Sequence, residues 1–187
     1  SGQPGERLAQ RRADLFPWVD ENTRIVPPTV WLDGDTSFRL GGLTFRMIYA
    51  EGAHSPEDVM VYIVEERLLF AGDLLFAGRV PFVGNADSKG WLKAMDKMIA
   101  LKPAVVVPGH GPASRDVERD LVLTRDYLAF LRDAMGKAVA DLESFDEAYA
   151  KVDWSRFKGL PAFENANRIN AYGTYLLMEK EALAGGA

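Results

Sequence analysis

Three apolar runs in this chain each border a glycine-flanked residue with a cation-binding side chain, and that coincidence restricts the fold more than any bulk property. Val59 to Val64 is apolar on both alternating faces, and Leu68 to Ala71 is apolar again after the polar Glu65-Glu66-Arg67. Ala104 to Val107 forms the third run. Short runs of this kind read as central strands of a sheet, the first two joined by a tight turn. His54 precedes the first run in Gly52-Ala53-His54-Ser55-Pro56. Asp73 follows the second after Gly72, and His110 follows the third in Pro108-Gly109-His110-Gly111.

The remaining segments frame those strands. Glu6 to Asp14, rich in helix formers, reads as a short surface helix that Pro17 ends. Val30 to Leu32 and Thr36 to Leu40 are strand-like, and Gly41-Gly42 turns the chain into Leu43 to Tyr49. There Leu43, Phe45, Met47 and Tyr49 alternate with their neighbours, as in a hairpin with one buried face. Trp91, Met95, Met98 and Ile99 mark a helix from about Ser88 to Leu101, with Ser88 as its N-cap and Pro103 forcing its exit.

Past Arg115 the chain reads as almost wholly helical. Leu121, Leu128, Leu131 and Met135 recur at helical spacing, Ser144 caps a helix through about Lys151, and Asn167 to Lys180 forms a last one before a loose Ala184 to Ala187 tail. The order of strands, one helix, a strand, then helices implies a layered α/β or α+β domain. No linker divides the chain, so 1–187 is expected to be a single domain, strand-rich over about 23–114 and helical over about 115–187.

Composition removes several function classes. The chain holds 22 basic and 27 acidic residues for a net charge of -5, and its Lys and Arg do not gather into a stripe. Neither nucleic acid nor an anionic membrane is an expected partner. Without cysteine there is no thiolate nucleophile, zinc-thiolate site or disulfide. No apolar run approaches the roughly 20 residues needed to span a bilayer. Compartment is not readable, since the N-terminus carries no signal pattern.

The chemistry then rests on His54, Asp73 and His110. Small neighbours let the backbone turn tightly enough to aim each side chain into a shared pocket. Neutral imidazoles bind zinc, and a carboxylate can bridge two cations held about 3.5 to 4 Å apart for two-metal hydrolysis. Glu57 and Asp58 read as a solvated loop or helix cap.

In this order and at these separations, Gly52-Ala53-His54-Ser55-Pro56, Phe70-Ala71-Gly72-Asp73 and Val107-Pro108-Gly109-His110-Gly111 resemble the later motifs of the metallo-β-lactamase superfamily. The likeness extends over about Asp33 to Ser114. It implies an αββα sandwich with a one- or two-metal site at its edge. Residue by residue, it implies that His54 binds the first metal, Asp73 bridges both and His110 binds the second. The activity it implies is attack by a metal-bound hydroxide on an ester, thioester or amide carbonyl of a small-molecule substrate.

The family's His-x-His-x-Asp-His cluster is absent, because no histidine precedes His54. The chain is therefore expected to be the C-terminal portion of such a domain. A complete site would hold two zinc ions, or iron, whereas this piece would bind metal weakly or not at all and would be inactive alone. Exposed faces would then favour self-association, as in a homodimer, or contact with the missing N-terminal half.

Other positions refine the reaction. Asn85 matches an asparagine that faces the scissile carbonyl in some β-lactamases, an oxyanion-type donor, although a turn role after Gly84 suits it equally. Phe76 stands where several β-lactamases place a lysine, and Asp73 where they place a cysteine. Both departures speak against antibiotic hydrolysis, and the aspartate is more similar to that of glyoxalase-II-type thioester hydrolases and other generic members. Arg79 could grip an anion or form an exposed salt bridge, and Tyr172 and Tyr175 could line a pocket mouth or pack in the core. An iron-dependent oxidoreductase resembling persulfide dioxygenases and a non-catalytic interaction fragment remain alternatives.

Overall fold

The alternation over 43–49 produces the expected hairpin. In the computed structural model, which describes residues 4–185, β1 (Thr36–Leu40) turns through Gly41 and Gly42, both at positive φ, into β2 (Leu43–Tyr49). Phe38 faces Phe45 across the pair with their rings stacked 5.1 Å apart. β3 (Val59–Ile63) and β4 (Leu68–Phe76) follow, and β5 (Val105–His110) completes one five-stranded sheet in sequential order. The first three pairings are antiparallel, and β4 and β5 are parallel. A parallel neighbour needs a crossover, which the helix over Ser88–Leu101 supplies.

Contacts group into two compact units, 1–33 and 34–187. The first holds α1 (Pro4–Arg11), which starts two residues and ends three residues earlier than expected, and a turn in which Asp20 accepts hydrogen bonds from the backbone N–H groups of Asn22 and Thr23. Val30 to Leu32 is not a strand, since none of its residues pairs in the sheet. β-branched composition alone does not make a strand when no partner edge receives it.

In the second unit the sheet buries one face. Ile48, Met60, Tyr62, Leu69, Ala71 and Val106 pack with Trp91, Met95 and Met98 of α2 (Ser88–Leu101) and with Leu121, Leu128 and Leu131 of α3 (Val117–Ala140). The strands are therefore less evenly covered than their apolar runs suggest. On the opposite face Phe38 and Phe70 remain 48% and 40% exposed.

α4 (Phe145–Lys151) and α5 (Phe163–Gly185) complete the helical portion. The last helix is longer than expected at both ends and takes in Ala184 and Gly185. Gly186 and Ala187, the end of the expected loose tail, lie outside the described residues. The cap of α2 is also corrected by one residue. Asp87 accepts from the backbone N–H groups of Lys89 and Gly90, while Ser88 is buried and its hydroxyl accepts from Arg132. Asp and Ser are near-equivalent caps, so the choice falls to the residue whose backbone is extended.

Candidate functional site

The carboxyl-terminal ends of the two parallel strands carry Asp73 and His110. Asp73 does not end its strand: β4 continues to Phe76, and Asp73 sits in an irregular stretch where the β4–β5 register shifts on either side of Gly72. Gly72 has φ 54°, a left-handed conformation that glycine adopts without penalty. Such a bulge re-aims a side chain out of the regular pleat. β5 likewise runs through Pro108-Gly109 to His110.

Glycine is required beside this bulge for lack of space. A Cβ on Gly109 would stand 2.0 Å from Asp73 Oδ1 and 2.7 Å from the Gly72 carbonyl carbon. The His110 carbonyl accepts from Ala77 N–H at 2.9 Å, which ties the two strand ends together. Gly111, at φ 98°, then passes so near the Ala77 carbonyl that a Cβ would lie 2.8 Å from it.

His54 comes from the loop between β2 and β3. Asp58, expected in a solvated loop or a cap, instead closes this loop: its carboxylate accepts from Ser55 N–H at 2.5 Å and from the Ser55 hydroxyl at 2.8 Å. The loop lies against the start of α2, where a Cβ on Gly90 would fall 1.9 Å from the Gly52 carbonyl oxygen.

The two imidazoles meet through aromatic rings. Phe76, 3% exposed, stacks on His110 with centroids 4.5 Å apart and planes 13° apart. Its ring also lies 6.0 Å from that of His54, and the His54 ring stands edge-on to Trp91 at 5.3 Å. His110 Nε2 is 3.5 Å from Asp73 Oδ1, with the side chains 48% and 45% exposed. That contact is polar but longer than an ordinary hydrogen bond.

The other expected residues lie elsewhere. Asn85 occupies an exposed turn after Gly84 and makes no side-chain hydrogen bond among the described residues. Arg79 forms no ion pair among the described residues, contrary to the salt-bridge reading, and its Nε is buried without a hydrogen-bond partner. Tyr172 and Tyr175 pack on Phe145 at 4.9 and 5.8 Å between ring centroids, and the Tyr175 hydroxyl donates to the Glu143 carbonyl at 2.8 Å.

What holds the loop after β4 is Asn170, a neighbour of those tyrosines on α5. Its amide oxygen accepts from Val83 N–H at 2.8 Å, and its amide nitrogen donates to the Pro81 carbonyl at 2.7 Å and to the Tyr127 hydroxyl at 3.0 Å. Burial pushes the Tyr127 hydroxyl well above its usual range, so it stays protonated and donates to Asn167 at 2.9 Å. Gly173, one turn on from Asn170, lets α5 approach the same loop: a Cβ there would lie 2.1 Å from the Gly84 carbonyl oxygen. Polar residues at helical spacing, Asn167, Asn170 and Thr174, on a face shared with Phe163, Ala166 and Ala171 were the available signal for Asn170.

The family model of the metallo-beta-lactamase superfamily matches residues 3–110, more than half of the chain and all five strands. The chain belongs to that superfamily. The type 2 metallo-beta-lactamase of Bacteroides fragilis is 35% identical over 77 residues, 38% of this chain and 31% of that protein. The linear primary-alkylsulfatase of a Pseudomonas strain is 29% identical over 133 residues, 65% of this chain and 25% of its own length. The chain thus spans a third or less of either relative. Among solved structures, the stereoselective inverting sec-alkylsulfatase Pisa1 from Pseudomonas superposes with TM-score 0.67 at 20% identity, over 82% of this chain and 27% of that one. This last likeness shows the fold.

Members of this superfamily typically bind zinc, so the donor set can be tested against that ion. Two imidazoles and a carboxylate are suitable donor types. Among the described residues, however, no three His, Cys, Asp or Glu side chains gather closely enough to hold a metal ion. Asp73 and His110 are within reach of one another, while His54 packs beside the rings of Phe76 and Trp91. Two adjacent donors fall short of the three or four that zinc sites use. As they stand, these residues do not fit the ion.

Proposed function

We propose that the protein is a hydrolase of a small-molecule ester, thioester or amide, and that His54, Asp73 and His110 are its share of the active centre. The observation that supports this reading most directly is the convergence of Asp73 and His110 on one strand edge, joined to His54 through Phe76, within the family-matched stretch. The bulge at Gly72 and the glycines at 109 and 111 let the two strand ends approach closely at that edge. An alkyl sulfate belongs among the substrates to be tried, because the alkylsulfatase aligns with more of this chain than the β-lactamase does, 65% against 38%.

The 187-residue chain alone is expected to retain far less than one equivalent of zinc or iron after dialysis and to turn over little. Stoichiometric metal in elemental analysis would overturn the incompleteness of its donor set. The reaction is tested on the full product of the gene, assayed against esters, thioesters, amides and an alkyl sulfate, with and without a chelator. Hydrolysis by the parent and its loss in His110→Ala are expected. Unchanged turnover in the variant would remove His110 from the mechanism. Oxygen consumption with bound iron would favour the oxidoreductase alternative.

A further inference from the structure

Histidines at hydrolytic centres are commonly oriented by a hydrogen bond from the second ring nitrogen to a carboxylate or carbonyl. Here neither imidazole makes a side-chain hydrogen bond among the described residues, and the polar neighbour of His110 is the 3.5 Å contact with Asp73. Aromatic surface takes that place. Phe76 lies nearly parallel to His110 at 4.5 Å, contacts His54 at 6.0 Å, and meets Trp91 at 6.3 Å. These separations lie within the range of about 4.5 to 7 Å over which ring pairs hold a preferred geometry.

The two supporting rings are themselves fixed. Trp91 is fully buried, and its indole N–H donates to the Leu74 carbonyl at 2.9 Å. Phe76 is buried at the end of β4, and its strand partner in β5 is His110 itself. Neither ring can swing without opening the contact between strand and helix, whereas the imidazoles reach toward solvent. The sheet and α2 therefore determine the plane of each imidazole through Phe76 and Trp91.

We propose that Phe76 is a positioning residue for both imidazoles, with Trp91 completing the support of His54. This role rests on reading His54 and His110 as active-centre residues, but its structural content can be tested without activity. A phenylalanine in place of an anion-gripping lysine then has a reason of its own: it orients the donors.

The chain has two histidines, so its imidazole C–H signals can be assigned by two substitutions in a carbon–proton correlation spectrum. The spectrum is recorded at a fixed pH above the ordinary imidazole range. In the parent chain the His110 ring signals should be displaced by the Phe76 ring current and should show Overhauser contacts to its ring protons. Phe76→Leu should abolish the displacement at His110 and shift His54, while Phe76→Tyr preserves both. Trp91→Phe should shift His54 and leave His110 in place.

Absence of the Phe76–His110 contacts in the parent overturns the proposal even if a variant fails to fold. So does an unchanged His110 signal in a folded Phe76→Leu chain. In the full gene product, Phe76→Leu should lower turnover and Phe76→Tyr restore it; measurable turnover that is equal in all three overturns the positioning role. If the parent product hydrolyses nothing while the ring-current pattern holds, the hydrolase reading fails and the orientation of the imidazoles by Phe76 stands.

Discussion

Replacing Asn170 with Ala is expected to cost about 3–5 kcal/mol and to loosen the loop between β4 and α2. Asn170 is fully buried and joins α5 to that loop through Val83 N–H at 2.8 Å and the Pro81 carbonyl at 2.7 Å, and to α3 through the Tyr127 hydroxyl at 3.0 Å. A hydrogen bond of this kind contributes about 1 kcal/mol net, and each buried backbone group left without a partner costs about 1–3 kcal/mol. Two stranded backbone groups and the lost bond to Tyr127 sum to about 3–7 kcal/mol, and water entering the vacated space recovers part of the upper end, which leaves the stated range. For a domain of this size each kcal/mol lowers Tm by about 2–4 °C, so a fall of ~6–20 °C is expected. Urea and thermal unfolding measure the loss, and hydrogen exchange at the Val83 amide localises it. A double-mutant cycle with Tyr127→Phe should show coupling of about 1 kcal/mol between these contacting residues. A folded Asn170→Ala chain that loses less than about 1 kcal/mol, with Val83 exchange unchanged, would refute the clamp.

Gly109→Ala should be costly for a different reason: its Cβ would meet Asp73 Oδ1 at 2.0 Å and backbone atoms at 2.7 and 2.8 Å, which cannot all retreat. Overpacking of this kind costs about 1–3 kcal/mol, and urea unfolding should show it together with displaced His110 ring signals. Glu65 gives the chain part of its acid sensitivity. Hydrogen bonds from the Thr44 backbone N–H and hydroxyl lower its pKa below the ordinary value. A carboxyl lowered in the folded state stabilises above its unfolded pKa, and the contribution disappears as pH falls through the lower folded value. Glu65→Gln should therefore flatten the stability-versus-pH curve through the lower carboxylate range and leave its neutral-to-basic portion parallel to the parent. An unchanged acid limb in denaturant titrations would remove Glu65 from that dependence.

The hairpin of β1 and β2 was legible because two-residue periodicity and Gly41-Gly42 are local signals, and α2 and α3 because their apolar residues recur at helical spacing. The Val30–Leu32 segment shows the limit of such signals: strand propensity has meaning only where an edge is available to pair. At the site, His54, Asp73 and His110 were legible as glycine-flanked words. Their mutual placement was not, and neither were the roles of Phe76 and Asn170. An aromatic in an apolar strand and an asparagine on a helix have many possible uses, and the sequence carries no record of which groups lie opposite them.

The sequence by itself determined the family, the order of elements and the chemical types of the candidate site residues, since these depend on residue identity and on spacing along one chain. Tertiary structure alone decided that Asp73 stands on a bulge 3.5 Å from His110, that the Phe76 ring neighbours both imidazoles, and that the described donors do not close around one ion. The physical reason is that coordination and stacking require distances of a few ångströms between residues far apart in sequence. Those distances follow from strand register and from the close approach of glycines, which only the packed sheet brings about.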